Sequence, residues 1–250
     1  MILLTFNIAV SEKGRENNYK FSQTELISSI EGNTKIILNL LELHEYKATF
    51  FVEVSIAGQL QKLLKSLSLS GHEIGLYNVN SDAETVEKTK QDLEQILQKP
   101  IKGLRQKSHH LPYLQIKKME FIYVSNIKES KIDFLWRKLT GKTEIYTENE
   151  LTVVPESQSP YSQLPFNDYV LQVTPMKYYE SMLLESLKSE EYVIIYANAW
   201  QLFSKDKLPF VLPFYKKVNL SRNFEDRLES LFQFIDEHEI AVSRMKDYLF

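Results

Sequence analysis

Short, almost wholly apolar runs alternate along this chain with stretches whose apolar residues recur every three or four positions. That alternation limits the folds open to it more than any other feature. Ile2-Leu3-Leu4-Thr5-Phe6 reads as a strand buried on both faces, and Ile30, Ile37 and Leu41 then mark one face of a helix. Ala48 to Val52, rich in aromatic and β-branched residues, is a second strand, followed by a helix carrying Leu60, Leu63, Leu64 and Leu67. Gly71 stops that helix and His72 to Tyr77 forms a third strand. Ser81 with Glu84 has the spacing of a capping box, opening a helix with Val86, Leu93 and Leu97 inside and Pro100 beyond its end. Ile101 to Arg105, Phe121 to Val124 and Tyr192 to Tyr196 are further strands. Lys128 to Gln172 is irregular and carries Pro155, Pro160 and Pro165. Helices are expected near Tyr178 to Leu187 and again around Phe224, Leu228, Leu231, Phe232 and Ile235. Strand–helix repetition without a break in composition predicts one domain over 1–250, its parallel sheet closed as a barrel or doubly wound.

The bounds on function are mostly exclusions. Thirty Lys and Arg against 33 Asp and Glu give a formal charge of −3, which offers phosphates no general attraction, so no nucleic acid is expected. The densest basic stretch, Lys99 to His110, reads as a solvated loop. With no cysteine, disulfides and thiolate metal sites do not arise. No apolar run approaches the ~18 residues needed to span a bilayer, and Met1 leads straight into a strand instead of a leader segment. A cytoplasmic protein without membrane insertion is the expectation. Seven glycines leave no phosphate loop and no nucleophile elbow.

Several segments, taken in order, resemble the polysaccharide deacetylase (NodB-homology) family. Thr5-Phe6-Asn7-Ile8-Ala9 is similar to its first motif, Lys47-Ala48-Thr49-Phe50-Phe51-Val52 to its second strand, and Gly71-His72-Glu73-Ile74-Gly75 to the lead-in of its second motif. Lys102-Gly103-Leu104-Arg105 resembles the third motif, Tyr123-Val124-Ser125 the following strand, and Ala197-Asn198-Ala199-Trp200-Gln201 a late motif that usually reads His-Pro-Trp-Glu. The resemblance implies a distorted (β/α)7 barrel with its cleft at the C-terminal ends of the strands. It also implies metal-dependent deacetylation: a divalent ion activates water, a carboxylate takes its proton, and an imidazole protonates the leaving amine.

The departures fall on that chemistry. Asn7 stands at the position of the base, Ala9 at the metal-binding acid, and Tyr77 and Ser81 at the two metal-binding histidines. An amide does not accept a proton at neutral pH, and Ala9 has no donor atom. Asn198 replaces the late histidine, Lys107 stands where a proline usually follows Arg105, and the aspartate that this arginine works beside reads as Val124. No cofactor or metal is expected, and none of the catalytic positions Asn7, Arg105 and Asn198 retains a full partner set.

The reading is a deacetylase-like barrel, inactive as an N-deacetylase, that binds a glycan or a protein of a polysaccharide pathway. Asn7, Tyr77, Asn78, Arg105, Tyr123, Asn198 and Trp200 would line its cleft. A working hydrolase with a displaced site, and a structural or regulatory subunit with a closed cleft, are the alternatives. His72 is expected to be structural. His109 with His110 is weighed as a metal pair and set aside, and capping accounts for Asp82 and Glu84 without catalysis. Trp200 and Tyr77 either stack on a sugar or fill the space of the ion.

Overall fold

The computed structural model describes residues 1–10, 22–107, 110–127, 144–204, 208, 212 and 217–250. Among these, seven parallel strands make the frame: β1 (Ile2–Ile8), β2 (Thr49–Glu53), β3 (Glu73–Asn78), β4 (Gly103–Lys107), β5 (Tyr123–Ile127), β7 (Leu151–Val154) and β8 (Val193–Asn198). Their spatial order is β7-β5-β4-β3-β2-β1-β8, with β6 (Tyr146–Glu148) antiparallel outside β7. Helices α1 (Gln23–Leu43), α2 (Val54–Ala57), α3 (Gln61–Leu69), α4 (Ala83–Leu97), α5 (Tyr113–Lys118), α6 (Asp168–Val173), α7 (Met176–Ser189) and α8 (Arg222–Glu237) fall between and after them. The sheet curls into a half-barrel of the polysaccharide-deacetylase (β/α)7 type. No ladder joins β7 to β8. The Ile194 amide donates across that seam to Ser157 Oγ at 2.9 Å, and the Tyr196 amide to the Phe166 carbonyl at 3.2 Å.

Alternation along each strand sorts side chains into two cores. Ile2, Leu4, Phe6 and Ile8 of β1 join the large cluster beneath the helices, while Leu3 and Ala9 turn inward with Phe51, Tyr77, Tyr123, Val154, Ile194 and Tyr196. The helices supply the outer layer at the expected period. Phe224, Leu228, Leu231, Phe232 and Ile235 of α8 are all buried, each contributing about 1.5–3 kcal/mol. Two glycines make room for the inner layer. A Cβ on Gly103 would lie 2.2 Å from Tyr123 Cζ and Oη, and one on Gly75 would lie 2.7 Å from the Phe51 ring.

The structure corrects three local readings. The irregular middle holds the hairpin β6–β7, whose strand β7 completes the sheet beside β5. Asn149 and Glu150, at φ 52° and 60°, form its two-residue turn without glycine. The basic stretch from Lys99 is not a solvated loop, because β4 runs through it and buries Leu104, Arg105 and Gln106. The N-cap of α4 is Asp82, whose carboxylate accepts from the Thr85 amide at 2.8 Å, so the box built on Ser81 and Glu84 begins one residue too early.

Candidate functional site at the barrel mouth

Asn7, near the C-terminal end of β1, lies level with Phe51 on β2 and Asn198 on β8. Arg105 lies level with Tyr77 on one side and Ser125 on the other. These registers bring four strands' inward side chains into one polar chain inside an apolar barrel. Arg105 is fully buried, its guanidinium 4.1 Å from the centre of the Phe51 ring and 5.3 Å from that of Tyr196. Nη1 donates to Asn7 Oδ1 at 2.8 Å, Nη2 to Thr5 Oγ1 at 2.9 Å, and Nε to Ser125 Oγ at 3.2 Å. Asn7 Nδ2 donates to Asn198 Oδ1 at 3.0 Å, and Asn198 Nδ2 donates onward to the Asp168 carboxylate. Burial lowers the Arg105 pKa to about 10, offset in part by the surrounding phenols and Glu156. Burial, then Glu156 and Asp168, holds the Tyr196 phenol well above its ordinary value, so it stays protonated and donates to Glu156 Oε1 at 2.9 Å.

The seven residues expected to line a cleft are all 5% exposed or less. Asn7, Arg105 and Asn198 come together and face one another rather than an opening. Tyr77 packs within the inner cluster beside Ala9 and Val79. Asn78 clamps the loop after β3, accepting from the Ser81 amide at 2.8 Å and donating to the Ser81 carbonyl at 3.0 Å. Tyr123 is not at the mouth. It starts β5 at the opposite end, passes over Gly103 and donates to Glu73 Oε1 at 2.9 Å. Trp200 also leaves the mouth: it lies in a 3-10 turn (Ala199–Leu202) and packs in the outer cluster. The neighbour of Arg105 on β5 is Ser125, because Val124 points outward to the helices, which corrects the pairing of that arginine with residue 124.

Sequence reasoning missed Thr5, Ser125, Glu156 and Asp168. Only the inward parity of Thr5 and Ser125 is a local signal; Glu156 lies just past the end of β7 and Asp168 opens α6, neither within a motif. His72 is structural as read: its Nδ1 accepts from the Ala48 amide at 3.2 Å, its ring stands edge-on to Phe50, and burial lowers its pKa to about 4. His110 Nε2 lies 3.2 Å from the Ser81 carbonyl, and His109 lies outside the described residues.

The metal implied by the family resemblance does not fit these residues. Ala9 brings no donor, and Tyr77 is a phenol buried in the inner cluster level with the Arg105 cation. Among the described residues, no three His, Asp or Glu side chains gather where they could hold an ion.

The fold is a curled half-barrel of the polysaccharide-deacetylase type, and its mouth holds the bonded set of Asn7, Asn198 and Arg105. The polysaccharide deacetylase family model matches residues 1–118, which takes in β1 to α5. In fold the chain is similar to a candidate polysaccharide deacetylase from Mycobacterium smegmatis (15% identity, TM-score 0.63, covering 99% of this chain and 87% of that one). It is similar also to Puue allantoinase (15%, 0.61, 98% and 87%). A CE4 family pseudoenzyme from Bacillus anthracis shares the fold at 12% identity and a TM-score of 0.53, with 100% of this chain and 65% of that chain covered. No curated protein matches the chain in sequence. Among the described residues, no helix is long and apolar enough to cross a membrane.

Proposed function

We propose that this chain is a non-hydrolytic member of the polysaccharide deacetylase family, acting in the cytoplasm as a partner-binding or structural subunit of polysaccharide metabolism. The observation that carries this reading is the use of the Asn7 and Asn198 amides. Asn7 spends its oxygen on Arg105 and a donor on Asn198; Asn198 spends its oxygen on Asn7 and a donor on Asp168. Both positions where proton transfer would occur are therefore neutral and internally bonded. A sugar seated there would have to break these bonds, which favours a closed mouth over a glycan cleft.

Two titrations test the reading. Zinc calorimetry on the parent should give no heat above background. The variant carrying Asn7→Asp, Ala9→Glu, Tyr77→His and Ser81→His should gain affinity, since ligands need only local geometry whereas turnover also needs their supporting partners. A variant of the Bacillus anthracis pseudoenzyme has restored enzymatic activity, which makes such a repair a fair trial here. Near-stoichiometric zinc in the parent, lost on Tyr77→Phe, would overturn the proposal. Short N-acetylated oligosaccharides at millimolar concentration should leave the Asn7 and Asn198 side-chain amide resonances unmoved, and movement of both would restore the glycan-cleft reading.

A further inference from the structure

The end of the barrel opposite the mouth is closed by a segment that the sheet holds only lightly. β9 (Val242–Ser243) pairs with β1 at two positions, Ile2 and Leu3, and the Ile2 amide donates to the Ala241 carbonyl at 2.8 Å. The chain then turns into α9 (Met245–Leu249) and drives the Met245 side chain, 0% exposed, into the inner cluster with Leu3, Phe51, Tyr123 and Ile194. Past β9 its attachments to the barrel run largely through side chains. The Met245 amide donates to Thr49 Oγ1 at 2.9 Å, and the Lys246 amide to Glu73 Oε2 at 3.0 Å. The same Glu73 oxygen accepts from Thr49 at 2.7 Å, and Oε1 accepts from Tyr123. Arg244 donates to the Gly71 carbonyl, and the Tyr248 ring lies 5.0 Å from that of Tyr192.

One buried carboxylate, 4% exposed, thus gathers ties from β2, β5 and the closing segment. The parallel neighbours from β7 through β1 to β8 pair over three to six positions; this segment has two ladder positions and a latch. We propose that residues 241–250 are a strap that opens as a unit, with Glu73 as its latch, giving access to the barrel interior from the end opposite the mouth. So short a ladder, followed by attachments made largely through side chains, puts the segment at the low end of local stability. Opening withdraws Met245 from the apolar inner cluster that also holds Leu3, Phe51 and Ile194. This inference is independent of the deacetylase reading, since it rests on the other end of the barrel.

Hydrogen exchange on the full chain, resolved by peptide, tests it. The amides of 242–248 should exchange at least about tenfold faster than those of β2 in the parent. Glu73→Gln, which replaces one acceptor oxygen with a donor, should speed them by at least about a further tenfold while leaving β4 unchanged. If Glu73→Gln does not fold, Thr49→Val, which removes the acceptor of the Met245 amide, carries the same expectation. Exchange of the segment in step with β2, or a rate that neither substitution alters, would overturn the proposal.

Discussion

The Asn7 amide does what a carboxylate could not: it accepts from Arg105 while donating to Asn198. Asn7→Asp would place a carboxylate 2.8 Å from the guanidinium, holding its pKa below the ordinary ~3.9. A depressed folded-state pKa adds stability above about pH 4 that is lost as pH falls towards the lowered value. The variant's urea midpoint, relative to the parent, should therefore rise between about pH 3 and pH 7; a difference independent of pH would refute the pairing. Arg105→Ala leaves Asn7, Thr5 and Ser125 without their donor and opens a void in the inner core. It should cost at least about 3 kcal/mol by equilibrium unfolding. A loss below about 1 kcal/mol would mean the guanidinium is not the centre of this network.

At the scale of elements, the period of the apolar residues carried the strands and the helices, because burial on two faces leaves a continuous run and burial on one leaves a 3.6-residue stripe. What escaped has a physical reason in each case. The β6–β7 turn uses Asn149 and Glu150 at positive φ, where a glycine would have signalled it. Residue 124 or 125 beside Arg105 is a question of strand parity, which a one-residue shift reverses. Asp82 and Ser81 are both good cap residues, and only the Thr85 amide chooses between them. Asp82→Ala should accordingly cost about 0.5–2 kcal/mol, and Ser81→Ala under about 0.5, by chemical denaturation. The reverse order would return the cap to Ser81. Gly103→Ala sets a methyl 2.2 Å from Tyr123 and should cost about 1–3 kcal/mol or more, with partial recovery in Gly103→Ala/Tyr123→Leu. No recovery would mean that backbone strain, not the ring, excludes a side chain there.

Over the whole molecule the sheet curls as a half-barrel, and the C-terminal ends of its strands carry a buried polar network. The residue types at the mouth were legible; their use was not, because hydrogen bonds such as Asn7 to Asn198 span 191 positions, and Asp168 and Glu156 enter from segments without a motif. The same distance hid the fates of Tyr123 and Trp200, whose letters fit a sugar platform but whose places are the opposite end and the outer layer. At the described mouth two neutral amides and one buried guanidinium are bonded to one another, with the Asp168 carboxylate accepting from Asn198. The most direct test is acetate release from N-acetylated chitooligosaccharides by the purified parent with zinc added. Release indistinguishable from the buffer blank is the predicted result. Zinc-dependent turnover that disappears in Arg105→Met would contradict the account.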